Sequence, residues 1–232
     1  MKIREGRHVF LLEHLDRLLN SSRELEIPSP FSREEIAEGC RNTIQANAVE
    51  KGILRIYLTP LLILIKTDAG LPYETKPFFR SIISSFRRNA SSPLAFHKTL
   101  NYYENILARR EANQQGYDEA ILLNLRGEIS EGAYSNLFMV KKGRLLTPSL
   151  SSGLLPGITR RKVMEIARET GIEVEERVLL PKDLQEADEA FFTSALMGVI
   201  PCKEIKGVRE FAEYETSLKL KTLLSEAERN NV

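Results

Sequence analysis

Strand-length apolar runs and helically spaced segments take turns along all 232 residues, and that interleaving admits few folds. The longest unbroken apolar run, residues 61–65, is far short of the roughly 20 residues that a membrane-spanning helix needs. Residues 1–12 are charged and lack the apolar centre of a secretory leader. Lys+Arg total 33 and Asp+Glu 32, so the formal charge of +1 disfavours bulk-charge nucleic-acid binding. Two cysteines without a Cys-x-x-Cys spacing exclude a disulfide scaffold or a cysteine zinc site, and three scattered histidines show no metal-ligand spacing. The expectation is a soluble, cytoplasmic protein that needs no metal and can bury a sizeable core.

Helical spacing marks residues 10–20 through Leu11, Leu15 and Leu18. Ser32-Arg33-Glu34-Glu35 is a capping-box signal, followed by an apolar face of Ile36, Cys40, Ile44 and Ala48. Residues 53–58 and 61–65 read as buried strands separated by Pro60, and residues 67–77, with Gly70, Pro72 and Pro77, as a domain boundary. Beyond it, 78–87, 120–125, 137–140, 144–146 and 172–178 read as strands, with 100–113, 157–170 and 211–229 as helices. The class is α+β, with a small domain over residues 1–70 and a larger one over 71–232.

Four segments carry chemistry. Lys98 lies between a polar loop and a helix, and Leu94, Ala95, Phe96 and Leu100 offer it a partly dry setting. It is either a nucleophile or one more solvated lysine. Glu131, in the small-residue turn Glu131-Gly132-Ala133, can hold a ring nitrogen protonated, or can be an exposed acid. Gly157-Ile158-Thr159 opens a helix whose free N–H groups suit a phosphate. The alternative is a plain N-cap made by Thr159. Arg17 suits a two-pronged phosphate contact, or pairs with Glu13 one helical turn away, while His14 reads as structural.

Taken in order, these segments resemble the fold-type IV pyridoxal-phosphate enzymes of the class IV aminotransferase family. The matching text is Glu13-His14-Leu15-Asp16-Arg17-Leu18, Lys98-Thr99-Leu100-Asn101-Tyr102, Glu131-Gly132, Asn136-Leu137-Phe138 and Leu155-Pro156-Gly157-Ile158-Thr159-Arg160. The resemblance implies a two-domain α+β fold with pyridoxal 5'-phosphate in the cleft between the domains. It implies that Lys98 attaches to the cofactor aldehyde and shuttles the α-proton, that Glu131 pairs with the pyridine nitrogen, and that Arg17, Gly157, Ile158 and Thr159 hold the phosphate. Tyr102 matches a tyrosine near the cofactor ring.

Thr193-Ser194-Ala195-Leu196-Met197-Gly198-Val199-Ile200-Pro201 occupies the turn on the substrate and phosphate side. It is similar to aminodeoxychorismate lyases, which form 4-aminobenzoate and pyruvate on the way to folate, whereas branched-chain transaminases tend to show Gly-Thr-Ala-Ala-Glu there. The resemblance thus implies a lyase. The alternatives are a branched-chain or D-amino-acid transaminase, or a cofactor-binding member without turnover. Partners are a small-molecule substrate and, as in relatives, a second copy in a homodimer. Residues 1–18 match family text that follows a further hairpin and strand, so the chain is expected to start inside that strand without part of the substrate wall. Pro60 stands where relatives tend to have an arginine.

Overall fold

The computed structural model describes residues 1–73 and 75–231. It divides into two compact units. The first holds β1 (Lys2–Arg4), β2 (Arg7–His8), α1 (Leu11–Glu24), α2 (Arg33–Ala46), β3 (Gly52–Leu58) and β4 (Ile63–Ala69). Its sheet order is β2-β1-β3-β4, antiparallel throughout. Leu15, Ile36, Cys40, Ile44 and Leu54 form its core, so the two helices lie with their apolar stripes on the sheet. The capping box at Ser32 is present: Ser32 Oγ accepts from the Glu35 N–H, and Glu35 accepts from the Ser32 N–H at 2.7 Å.

Two readings change in this unit. α2 stops at Ala46; Ala48 is exposed with φ 49°, and Val49 turns inward in its place. Leu61 and Leu62 precede β4, with Leu61 89% exposed. β4 is an edge strand with one face on the helices, so Ile63 and Ile65 pack inward while Leu64 faces out.

The second unit runs from Thr75 to Ser194 and from Gly198 to Leu224. It comprises β5 (Phe79–Arg88), α3 (Tyr103–Gln114), β6 (Glu119–Asn124), β7 (Ile129–Gly132), β8 (Asn136–Lys141), β9 (Arg144–Pro148), α4 (Ile158–Glu169), β10 (Val174–Arg177), α5 (Pro181–Gln185), β11 (Glu189–Ser194), β12 (Gly198–Ile205), β13 (Arg209–Glu210) and the start of α6 (Glu215–Asn230). Residues 195–197, and α6 from Ser225 on, group with the first unit. Among the described residues the sheet has nine strands in the order β10-β9-β8-β11-β12-β5-β6-β7, with β13 on β12. The β5–β6, β5–β12 and β9–β10 pairs are parallel, the others antiparallel.

α3 rests on β5 and β6 through the small residues Ala108, Ala112 and Ala120, which bring its backbone close to the sheet. The stacked rings of Phe138 and Phe191, 5.0 Å apart, join β8 to β11 in a fully buried layer. α3 begins at Tyr103 rather than residue 100, leaving Leu100 72% exposed, and α6 begins at Glu215 rather than residue 211. Among the described residues no helix is long and apolar enough to cross a membrane.

Candidate active site

The second unit gathers several of the expected residues around one buried carboxylate. Glu131 lies on β7, not in the turn; the turn is Ala133-Tyr134-Ser135, which leads straight into β8. Glu131 Oε1 accepts from Arg88 Nη2 at 2.9 Å. Its Oε2 accepts from the Leu155 N–H at 3.1 Å and from Asn136 Nδ2 at 3.3 Å. Burial pushes this acid up to about 7. Arg88, the Leu155 N–H and Lys98 pull it down, and Glu119 pushes it further up. Without its donors a carboxylate this deep would be neutral at physiological pH.

Lys98 follows the 3-10 turn Pro93–Phe96 and sits 4.2 Å from the Tyr102 ring centroid, over the ring face. The dry setting expected from its neighbours is not there. Lys98 is exposed, and Leu94 and Leu100 face solvent because the chain between β5 and α3 is irregular and shows no apolar period. The aromatic wall comes from Tyr102, the residue before α3. Its hydroxyl donates to the Ala133 carbonyl at 3.0 Å, and Asn105 Nδ2 donates to the same oxygen at 2.7 Å. Burial, with Glu131 and Glu119 nearby, pushes the Tyr102 phenol well above its ordinary range, so it stays a protonated donor. Below the turn, Glu119 is fully buried and accepts from Ser135 Oγ at 2.8 Å, with Arg109 Nη1 at 3.3 Å from its other oxygen. The turn that follows Glu131 is thus fixed from both sides.

The third component is the start of α4. Its N-cap is Gly157, with no side-chain cap bond, so Thr159 is not the cap; it lies inside the first turn and is buried. The first-turn N–H groups therefore stay available to an anion. A Cβ on Gly157 would overlap Asn136 Oδ1, which is why the backbone here can pass so close to β8. Arg160 anchors this turn: it is 3% exposed and donates to the Pro148 carbonyl and to Glu176, both at 2.8 Å. Ser194 ends β11, and Ala195 follows in the turn before β12. Gly198 to Pro201, read as part of that turn, belong to β12. Arg17 is half-buried on α1 in the first unit. His14, on the same helix, is held neutral, well below the usual histidine range, by burial first and then by the N-terminus and Arg17.

Sequence reasoning assigned no role to Arg88, Asn136, Asn105 or Glu119. The available signal was a polar residue opening an apolar strand, as Asn136 and Glu119 do, since such a group is buried and needs partners. Thr193, opposite Asn136 in the β8–β11 register, carries a buried hydroxyl with no protein partner. An acid ringed by donors, an amine on an aromatic face, an uncapped helix start and a spare buried hydroxyl fit a heterocycle that bears an aldehyde and a phosphate.

Comparison with known proteins agrees. The model of the amino-transferase class IV family matches residues 1–205. A branched-chain-amino-acid aminotransferase of Salmonella typhimurium is 33% identical over 223 residues, covering 85% of this chain and 70% of its own. A Legionella pneumophila structure, provisionally assigned as a 4-amino-4-deoxychorismate lyase, superposes with a TM-score of 0.91 at 26% identity, covering 98% of this chain and 89% of that one. The Escherichia coli branched-chain aminotransferase superposes with a TM-score of 0.88 at 28% identity, covering 98% and 83%. The fold is fold type IV, and its class is that of pyridoxal-phosphate enzymes. The chain belongs to the amino-transferase class IV family.

Proposed function

We propose that the protein is a lyase that converts 4-amino-4-deoxychorismate to 4-aminobenzoate and pyruvate. The observation that carries the catalytic part of this reading is the grouping of Lys98, Tyr102 and Arg88 with the buried Glu131 in one unit. When bound, pyridoxal phosphate supplies a cationic ring into which the electrons of a deprotonated α-carbon delocalise. Lys98 Nζ would hold the cofactor through its aldehyde carbon and, freed when the substrate amine takes that place, would carry the α-proton. Glu131 holds the N–H of the ring. The N–H groups of Ile158 and Thr159, and the Thr159 hydroxyl, hold the phosphate at the α4 start. The phosphate role of Arg17 rests on the resemblance alone. The Ser194-Ala195-Leu196-Met197 turn and the likeness to the Legionella structure support elimination as the outcome.

A second reading, transamination of a branched-chain amino acid, is supported by the Salmonella relative. The two separate cleanly. A lyase releases pyruvate from aminodeoxychorismate with no added keto acid. A transaminase converts 2-oxoglutarate to glutamate when given leucine or valine and leaves aminodeoxychorismate untouched, an outcome that would remove the lyase reading. The exposed Leu100, Tyr103 and Ile106 support a homodimer, which light scattering measures.

A further inference from the structure

Glu131 already accepts from three donors and is expected to receive one more. A carboxylate has about four lone-pair positions. Oε2 uses both of its own on the Leu155 N–H and Asn136 Nδ2. Oε1 uses one on Arg88 Nη2. The position left is on Oε1, beside the guanidinium. Arg88 ends β5, its side chain is 14% exposed against 9% for Glu131, and its Nε is buried with no protein partner. The fork thus meets the acid through one nitrogen only, although a two-pronged contact is the common geometry for this pair. A second prong would take the last position on Oε1 or displace a donor from Oε2; the single prong leaves one position on Oε1 open.

We propose that Arg88 is a positioning residue: it turns Glu131 so that only Oε1 is open to the cofactor's ring nitrogen, and its charge keeps the shared proton on the ring. The inference rests on the reading that Glu131 meets that nitrogen. The guanidinium touches the carboxylate, whereas the ring nitrogen lies one hydrogen bond further out. Attraction to an ionised Glu131 therefore outweighs repulsion of a protonated ring. The other groups that act on the acid are Lys98 from the loop before α3, Glu119 from β6 and the neutral donors Asn136 from β8 and Leu155. Lys98 is taken up by attachment to the cofactor, and Glu119 is itself an acid. This leaves Arg88 as the cation that opposes proton transfer from the ring to Glu131.

The test uses the intact protein loaded with 15N-labelled pyridoxal phosphate. The ring-nitrogen chemical shift reports protonation directly, alongside the cofactor Kd. Wild type and R88K, which keeps the charge, are expected to show a protonated ring at pH 8. R88Q, which keeps a donor but loses the charge, is expected to show an unprotonated ring and a Kd about tenfold weaker. A ring protonated alike in R88Q, with unchanged Kd, overturns the role of Arg88 while leaving the function intact. Wild type that takes up no cofactor overturns the function, and with it the inference. A crystal structure of the loaded wild type tests the geometry whether or not R88Q folds: the ring nitrogen is expected on Oε1 with Arg88 in place, and a ring nitrogen on Oε2 overturns the proposal.

Discussion

Replacing Gly157 by alanine probes the seam between the α4 start and β8. The backbone there has φ −67° and ψ 137°, which alanine adopts freely, so only crowding opposes the change. The new methyl would overlap Asn136 Oδ1 and lie 3.2 Å from Asn136 Cγ and 3.4 Å from Arg160 Cβ. Asn136 must then turn away, giving up its bond to the Leu155 carbonyl at 2.9 Å and its contact with Glu131. Crowding costs about 1–3 kcal/mol. The lost amide bond adds about 1 kcal/mol. Against this, alanine narrows the unfolded ensemble, contributing about 0.4–1 kcal/mol in its favour. The net expectation is a loss of about 2–3 kcal/mol for Gly157→Ala. With Asn136→Ala as background the overlap disappears, and the same substitution becomes neutral or mildly stabilising. Urea unfolding of the four cofactor-free proteins measures this cycle. An equal loss in both backgrounds would show that Asn136 is not what Gly157 accommodates.

Two further outcomes follow from buried charge. Glu131 is raised to about 7 from 4.5, so between those values the folded protein binds more protons than the unfolded chain. The stability of wild type relative to Glu131→Gln is therefore highest below pH 4.5 and falls by about 3 kcal/mol as pH rises past 7. Thermal unfolding across that range checks it, and a difference that is flat or rises with pH contradicts it. In the first unit, Lys2 Nζ donates to both oxygens of Glu228 at 2.8 and 2.7 Å, with both side chains almost fully buried and Arg4 at 3.3 Å. Lys2→Met strands part of a buried negative charge and is expected to cost about 3 kcal/mol in urea unfolding. A cost below about 1 kcal/mol would mean that Arg4 compensates in full.

What could be read from the residues alone was whatever repeats locally. The Ser32 capping box, the Ile36–Cys40–Ile44 face of α2 and the amphipathic α4 all depend on neighbours within four positions, and all three form. β7, β11 and β12 escaped notice because strands buried on both faces lose their alternation, and here they carry Ser130, Glu131 and Thr193 among apolar residues. The same holds for the site. Lys98 and Glu131 were legible as members of an ordered set, but each alone had an equally good bland reading. Arg88 was not legible as a partner of Glu131, because the two are 43 residues apart and lie on β5 and β7, the strands on either side of β6. Nor did residue spacing show that Lys98 would rest on an aromatic face rather than among leucines, since that depends on how an irregular loop folds back.

The proposed chemistry turns on Lys98 being the amine that the cofactor joins. Incubation with pyridoxal phosphate, borohydride reduction and peptide mass spectrometry answer this directly. One pyridoxyl group per chain on Lys98, absent in Lys98→Ala, is the expected result; a label on another lysine, or none at saturating cofactor, would contradict it.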